Sequence, residues 1–412
     1  MISNKTFDLK VIFFPWIIYL LLVLIFDIKY KYYNPIIIYI ICLSLTFSTI
    51  SYLSGRSFAE FKNLKTNKNL SKENIPYYRI LIILSLLGSF GSVFYDLIDL
   101  KNNTLFKDLI YQNKPLMYSL RITNNLGPEL VGSNLKFICK FIFPLSFFFY
   151  IYNFQKKNIK LSYLIIILTF SSLLISGGRF YFLYFVIIYI FSRIDSDKEF
   201  NLFSKKKIFI IIIFFYILLI TMSSRVPEQV DTLEFYKTIL GVVNIRFEYL
   251  ELGIFNTLKN NFLALIIYLT HSLNFLSYYY ETFSFDSHSN GSYTFNLLFR
   301  IINKIFDLNL SLNSFYDPTF GRYSTFIKDL VADFGIIGLL IIFSFYSFFF
   351  GFSSYYKKYY YSFEVIYYWL LTFFILAPLV NIISSGFINL MFLFLIIYAF
   401  LEIIYKNQTQ HK

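Results

Sequence analysis

Long apolar runs joined by short polar links make up most of this chain. Most of the runs reach the length of about 20 residues that a helix needs to cross the hydrocarbon core of a bilayer. Ten such segments can be marked, at approximately 11–27, 35–54, 79–99, 135–154, 161–176, 180–193, 207–223, 329–352, 363–383 and 386–405. The pattern predicts an all-α fold, a polytopic transmembrane bundle of about ten helices.

One long stretch, residues 224–328, interrupts this pattern. It divides the chain into an N-terminal transmembrane region (1–223, about seven helices), a large loop (224–328) and a C-terminal transmembrane region (329–412, about three helices). An apolar segment inside the loop, 262–280, is nearly long enough to cross a bilayer. His271 lies at its middle, and an imidazole is costly against lipid, so we expect a buried or membrane-surface helix there.

Composition agrees with a membrane protein, and the distribution of charge orients it. The 412 residues are 57% hydrophobic, 23% aromatic and only 15% charged, with a net charge of +13. Basic residues lie mostly in short links such as 205–207, which is the pattern of topology signals rather than of a nucleic-acid surface. The pattern predicts cytoplasmic N- and C-termini, an uncleaved first helix and an outer position for the large loop. Cys42 and Cys139 are isolated in apolar runs and predict neither a disulfide nor a metal site.

Two arginines lie where the chain is predicted to leave the outer face of the membrane. Arg179 follows Ser176-Gly177-Gly178 at a tight hairpin, and Arg225 follows the seventh apolar segment. A guanidinium can bind a phosphate through two parallel hydrogen bonds, so the pair could hold a pyrophosphate. Alternatively, Arg179 is an interfacial residue whose side chain reaches the lipid headgroups. The alternative for Arg225 is a cation that stabilises the end of a helix.

Two further arginines lie in polar loop sequence. Arg246 either contacts substrate or pairs with Glu248 or Glu251, although neither acid has the spacing of three or four residues that best pairs side chains on a helix. Arg121 is either a substrate contact or a solvated surface side chain.

Titratable residues in apolar surroundings are candidates for acid–base chemistry. His271 either takes a proton from an attacking hydroxyl or is a satisfied core residue. Asp329 and Asp333 share a face where the eighth helix enters the membrane, and carboxylates there suit the positive end of the helix dipole. Asp333 lies deeper and needs a partner such as an arginine. Gly335 and Gly338 would allow another helix to approach closely.

Sequence motifs for other chemistry are absent. The sequence has no phosphate-binding loop, no dinucleotide fingerprint and no zinc motif. Asp286 and His288 are two possible ligands without a third at suitable spacing. We therefore expect neither a cofactor nor a metal, and ATP-driven pumping by this chain is not supported.

The layout of the chain resembles the O-antigen polymerase (Wzy-type) family, whose members join oligosaccharide repeat units in bacteria. The features that carry the likeness are Ser176 to Arg179 opening a helical hairpin, the long outer loop, Tyr268-Leu269-Thr270 to Tyr278 within it, and Tyr323-Ser324-Thr325-Phe326 to Asp333-Phe334-Gly335-Ile336-Ile337-Gly338 leading into a helix. The Asp-Phe-Gly-x-x-Gly segment is the most specific of them.

The resemblance implies a metal-independent glycosyltransferase of the bacterial inner membrane. It would transfer the growing glycan of an O-antigen or capsular polysaccharide from undecaprenyl pyrophosphate to a hydroxyl of the next lipid-linked repeat unit. Membrane lipids and a chain-length regulator protein are the further partners. His271 and Asp333 would be the catalytic candidates. The substrate-binding candidates would be the outer arginines, Arg121, Arg179, Arg225, Arg246 and Arg322.

Three other functions stay open at this point. A ligase would move a finished glycan onto another lipid, and the sequence does not separate it from a polymerase. A flippase for the same lipid-linked sugars would show internal repeats and broken helices, and no repeat relates the two halves of the sequence. A non-catalytic membrane scaffold would leave the loop arginines replaceable.

Overall fold

The computed structural model describes residues 5–61, 78–102, 230–283, 326–379 and 386–410, with a few single positions elsewhere. These residues are predominantly helical, which confirms the predicted helical fold class. The helices are α1 (Lys5–Ile25), α2 (Ile36–Phe61), α3 (Tyr78–Asn102), α4 (Thr232–Leu240), α5 (Asn256–Thr270), α6 (Ser272–Phe283), α7 (Phe326–Tyr356), α8 (Tyr361–Leu376) and α9 (Gly386–Gln410). Two short strands, β1 (Lys29–Tyr30) and β2 (Val242–Asn244), pair antiparallel, and a 3₁₀ turn (Gly253–Phe255) precedes α5.

Three of the described helices, α1, α2 and α7, are long and apolar enough to cross a membrane. The pair formed by α5 and α6 would be a fourth if it is counted as one bent span. Apolar side chains are exposed along one face of α1 at intervals of three or four residues, at Phe14, Ile17, Leu21 and Leu24. A helix face of this kind is stable against lipid tails and costly in water. The chain is therefore a membrane protein.

The predicted apolar segments agree with the described helices wherever both exist. The first three segments correspond to α1–α3, and the last three correspond to α7–α9. Helix α2 continues past its predicted end, and an ion pair between Arg56 and Glu60 (Nε to Oε1, 3.1 Å) lies in this additional part. Four predicted segments lie outside the described residues, at 135–154, 161–176, 180–193 and 207–223. The total of ten helices and the outer position of the large loop stay predictions.

Helices α2 and α7 run parallel and form the most extensive helix contact in the described part of the chain. A Cβ atom at Gly55 would overlap the backbone carbonyl of Phe348, and one at Gly351 would overlap the backbone of α2. The two glycines therefore let the helix backbones touch, as small residues do between membrane helices. The hydroxyls of Ser48 and Ser347 share a hydrogen bond across the same contact.

A buried polar cluster lies where α1 begins. The Asp8 carboxylate accepts hydrogen bonds from the hydroxyls of Tyr52 (2.6 Å) and Tyr367 (2.7 Å). A guanidinium nitrogen of Arg56 lies 3.8 Å from the same carboxylate. The ammonium of Lys357 stands 3.7 Å from the centre of the Tyr367 ring, which is a cation–π arrangement. Because a buried carboxylate is costly without such partners, the cluster ties α1 to α2 and α8.

Helices α8 and α9 are joined through a carboxylate. The two oxygens of Glu402 accept hydrogen bonds from the backbone amides of Tyr361 (3.0 Å) and Ser362 (2.8 Å) at the start of α8. Amides in a first helical turn have no partner inside the helix, and a negative charge suits that end of the helix dipole. Further along, the rings of Trp369 and Phe392 stack 4.5 Å apart, so the two helices run antiparallel.

These contacts define two ends of the bundle. The Asp8 end holds the starts of α1 and α8 and the final turns of α2, α7 and α9. The β-ribbon end, named for β1 and β2, holds the final turn of α1, the start of α2, the Gly335 break of α7 and the helix pair α5–α6. Residues 326–334 fold back from that break into the bundle, where the ring of Phe326 packs against Phe343 (5.6 Å) and Phe373 (4.6 Å). The described links that are predicted to be cytoplasmic meet at the Asp8 end, and those predicted to be outer meet at the β-ribbon end. Which end faces the cytoplasm stays a prediction.

Replacing Gly55 by alanine should destabilise the protein, because the added methyl group meets the backbone of α7. Where it has room, alanine stabilises a helix by about 1 kcal/mol relative to glycine. Overpacking costs about 1–3 kcal/mol, so a lower unfolding midpoint would indicate the clash. The measurement is the thermal unfolding midpoint of purified protein in detergent. Ser54→Ala, at the neighbouring exposed position, is the control and should leave the midpoint unchanged. A Gly55→Ala variant as stable as the wild type would show that the two backbones do not touch.

Candidate functional site

A two-stranded ribbon joins two loops that are predicted to lie on the outer side. Strand β1 follows α1, and strand β2 belongs to the large loop. The Lys31 amide donates to the carbonyl of Gly241 (2.8 Å) beside the ribbon. The Arg246 amide donates to the carbonyl of Phe26 (2.7 Å) on the other side. The ribbon therefore fixes the beginning of the large loop to the end of α1.

The apolar segment 262–280 is a helix that is broken at its middle. Helix α5 ends at Thr270, α6 begins at Ser272, and their axes differ by 43°. Such a break leaves backbone carbonyl and amide groups without helical partners, which is costly wherever water is excluded. The expected single helix is therefore corrected to two helices that meet at His271.

Two tyrosine hydroxyls satisfy the backbone groups at this break. Tyr19 donates to the Thr270 carbonyl (2.8 Å), accepts from the Leu273 amide (2.9 Å) and also bonds the Ser272 hydroxyl. Tyr30 donates to the same Thr270 carbonyl (2.7 Å). Burial raises the pKa of Tyr30 well above its ordinary value, so its hydroxyl remains a donor at physiological pH.

His271 stands at the break itself and is only 1% exposed. Its Nδ1 lies 2.6 Å from the carbonyl oxygen of Tyr268, and its ring packs edge-on against Phe275. A carbonyl oxygen can only accept a hydrogen bond, so Nδ1 carries the proton of the neutral ring and Nε2 is the basic atom. The residue is thus packed like a core histidine, in the tautomer that a base acting through Nε2 requires.

Both halves of the broken helix contact the β-ribbon end of the bundle. The ring of Phe262 packs against Phe26 at the end of α1, with ring centres 5.9 Å apart. The hydroxyl of Ser277 accepts from the Asn34 amide (3.2 Å), just before α2 begins. The segment therefore packs against the end of α1 and the chain just before α2, and residues 263–267 within it are buried. Its position relative to the membrane stays a prediction.

A second helix break lies beside Asp333. Gly335 has φ 68° and ψ −174°, a backbone conformation that essentially only glycine adopts, and α7 is kinked there. A Cβ atom at Gly338 would overlap the side chain of Phe334, one turn earlier in the same helix. The prediction that these glycines admit a neighbouring helix is therefore wrong. One glycine makes the kink, and the other leaves room for Phe334.

The Asp333 carboxylate is buried, at 1% exposure, and its Oδ2 accepts a hydrogen bond from the Thr294 amide (2.6 Å). Thr294 belongs to the large loop, so this bond fastens the loop to α7. The sequence suggested an arginine as the partner, whereas the described contact is a backbone amide, which also stabilises a buried carboxylate. Asp329 lies in the first turn of α7, where the helix dipole favours it.

Arg246 is exposed on the turn after β2, where its Nη1 donates to the carbonyl of Ile25 (3.4 Å). The alternative of an ion pair with Glu248 or Glu251 is wrong, because neither carboxylate forms an ion pair with Arg246, and the Glu248 carboxylate binds the ammonium of Lys237 on α4. Burial acts to lower the pKa of Lys237, but its hydrogen bonds to Glu248 and Glu234 outweigh burial and hold that pKa above its ordinary value. The guanidinium of Arg246 is therefore exposed at the end of α1.

The structure brings three candidates, His271, Asp333 and Arg246, to the β-ribbon end. The other proposed substrate contacts lie outside the described residues, namely Arg121, Arg179, Arg225 and Arg322. The sequence does not single out Tyr19 and Tyr30, whose hydroxyls bind the backbone groups at the break. The chain has 37 tyrosines, and no local pattern distinguishes these two from the rest.

Tyr19→Phe should destabilise the broken helix, since the Leu273 amide would lose its partner. An unsatisfied buried group costs about 1–3 kcal/mol. Hydrogen exchange followed by mass spectrometry should show faster exchange in the peptide that contains Leu273. Tyr39→Phe, at a position of α2 that is 74% exposed, is the matched control and should leave exchange unchanged. Equal exchange in Tyr19→Phe and in the wild type would rule out this role for the hydroxyl.

Comparison with known proteins identifies no relative of this chain. No family model matches the sequence, no curated protein matches it, and no solved structure matches it. The likeness to O-antigen polymerases therefore rests on the residues and the layout of the chain itself.

Proposed function

We propose that this chain is a glycosyltransferase that polymerises lipid-linked oligosaccharide repeat units at the outer face of the bacterial inner membrane. The growing glycan would pass from undecaprenyl pyrophosphate to a hydroxyl of the next lipid-linked unit. The observation that carries the proposal is His271, a buried titratable side chain at the break of an apolar helix. Ionisable residues in membrane surroundings are costly, and they mark functional sites by default.

In the proposed reaction His271 acts as the general base. Its Nε2 takes the proton of the acceptor hydroxyl while that oxygen attacks the anomeric carbon of the donor sugar. The bond between that carbon and the pyrophosphate oxygen breaks, and undecaprenyl pyrophosphate leaves with the electron pair. The Tyr268 carbonyl supports this role in two ways, since it fixes the tautomer and stabilises the imidazolium that forms.

The leaving pyrophosphate carries several negative charges, so cations placed in advance would stabilise its departure. We assign this role to Arg179 and Arg225, which follow apolar segments at the predicted outer boundary. Arg246, Arg121 and Arg322 are proposed as further contacts to pyrophosphate or sugar. We assign Asp333 a positioning role, because its bond to the Thr294 amide would hold the loop against α7.

A flippase for the same lipid-linked sugars is the second candidate, and the helix breaks at His271 and Gly335 favour it. Transporters bind substrates at discontinuous helices near the middle of the membrane. The break at His271 instead lies at one end of the bundle, which favours an enzyme. An O-antigen ligase would use the same base and the same leaving group, so the ligase and the polymerase differ only in the acceptor.

Purified protein in detergent, supplied with lipid-linked repeat units, should produce a ladder of longer glycans. His271→Ala should slow its appearance by about 10²–10⁴-fold, the usual contribution of a general base. His411→Ala, near the end of the chain, is the matched control and should leave the rate unchanged.

The outcomes of this assay separate the candidates. A wild-type rate in His271→Ala would remove the histidine as the base. A flippase would give no ladder in detergent, where no membrane separates two sides. A ligase would transfer glycan to another lipid acceptor without lengthening it.

Arg179→Ala and Arg225→Ala should each abolish long chains in cells while leaving single repeat units, because the leaving group loses a bidentate partner. Lysine at either position should restore activity only in part, since an ammonium cannot make two parallel hydrogen bonds. The measurement is the length distribution of the glycan on a gel. Arg300→Ala, a loop arginine without a proposed role, is the control. Normal chain lengths in both alanine variants would refute the pyrophosphate cradle.

A further inference from the structure

The chain between β2 and the first turns of α5 exposes an unusual set of large apolar side chains. We call residues 243–258 the interface segment. Its exposed apolar side chains are Val243, Phe247, Tyr249, Leu250, Leu252, Phe255 and Leu258. Tyr249 is 85% exposed, more than any other tyrosine among the exposed large side chains. A loop in water would not keep this surface uncovered, so it requires an apolar or interfacial partner.

The position of the interface segment is fixed at the end of a membrane-spanning helix. The Arg246 amide bonds the carbonyl of Phe26, and the Arg246 guanidinium bonds the carbonyl of Ile25. The ring of Phe247 packs edge-on against Phe26, with ring centres 6.1 Å apart. The exposed apolar face of α1 ends at Leu24 and Ile25, so the segment continues that face.

Hydrogen bonds from neighbouring side chains pair several backbone polar groups of the segment. The ammonium of Lys259 donates to the carbonyls of Glu248 (2.8 Å) and Leu250 (2.7 Å). The Leu252 amide donates to the side chain of Asn256 (2.8 Å). A turn can approach the hydrocarbon region only when its backbone groups have such partners.

We propose that residues 243–258 insert their apolar side chains into the headgroup–acyl boundary of the same bilayer that α1 spans. The partner is the phospholipid surface itself. The segment continues the lipid-facing side of α1, so whatever covers the segment also meets the lipid around the end of that helix. A phospholipid surface meets this condition without a second protein. Tyrosine suits this depth, since its ring is apolar and its hydroxyl can remain hydrated. Arg246 lies at the level of the phosphates. The proposal is independent of the glycosyltransferase function.

The experiment places a tryptophan reporter at the exposed site. Tyr249→Trp is prepared in the full-length protein and reconstituted into phosphatidylcholine vesicles, with and without bromine atoms on the acyl chains. The natural Trp16 and Trp369 are buried, at 1% and 0% exposure, and the emission of the wild type is subtracted. Thr238→Trp, at an exposed position of α4 one turn after the exposed Glu234, is the matched control outside the interface segment. Phe255→Trp repeats the test at a second exposed position.

The expected result is loss of the reporter signal of Tyr249→Trp and of Phe255→Trp in brominated lipid, together with protection from aqueous iodide. The control should show the reverse, quenching by iodide and not by brominated lipid. Quenching of the reporters by iodide alone would overturn the proposal, because the segment would then face water. Protection from both quenchers would also overturn it, because a protein partner or a second copy would then cover the segment.

Discussion

A helix that breaks where water is excluded must find partners for the backbone groups it releases. In this protein the hydroxyls of Tyr19 and Tyr30 supply them, so α5 and α6 can meet at an angle with His271 at the corner. Helix α1 delivers Tyr19 to that place, and it is fastened at its other end through Asp8. The geometry around His271 therefore depends on a helix that the large loop does not contain.

The sequence predicts the helices well because an apolar run of about 20 residues has essentially one stable structure in a bilayer. The sequence does not predict which side chains bind the backbone groups at the helix break. Which of 37 tyrosines meets Thr270 depends on how helices pack, and packing leaves no local pattern. Glycine roles were misjudged for the same reason, since Gly335 and Gly338 act within α7. The position of His271 on a buried segment was predictable, but the break was not, because nothing in 262–280 resembles a turn.

The aromatic content of the chain has a structural explanation in the described helices. Rings pack against one another between α7, α8 and α9, as in the stacked pair of Phe350 and Tyr367, 5.3 Å apart. Tyrosine adds a hydroxyl at the edge of such a ring, and that hydroxyl can bind a buried polar group. Tyr367 does both, because its ring packs while its hydroxyl binds Asp8. Tyrosines therefore fill the bundle and satisfy its few buried polar groups with the same side chain.

The glycine contact between α2 and α7 has a consequence for how the protein is made. Its hydrogen-bonded serines are 299 residues apart in the chain, so the ribosome completes α2 long before α7 exists. Until then the surface around Gly55 lacks the α7 backbone that covers it in the folded protein. Contacts this distant in sequence form late. The contact between α2 and α7 thus forms only after α7 has been made, and α8 and α9, which follow α7 in the chain, join the bundle later still.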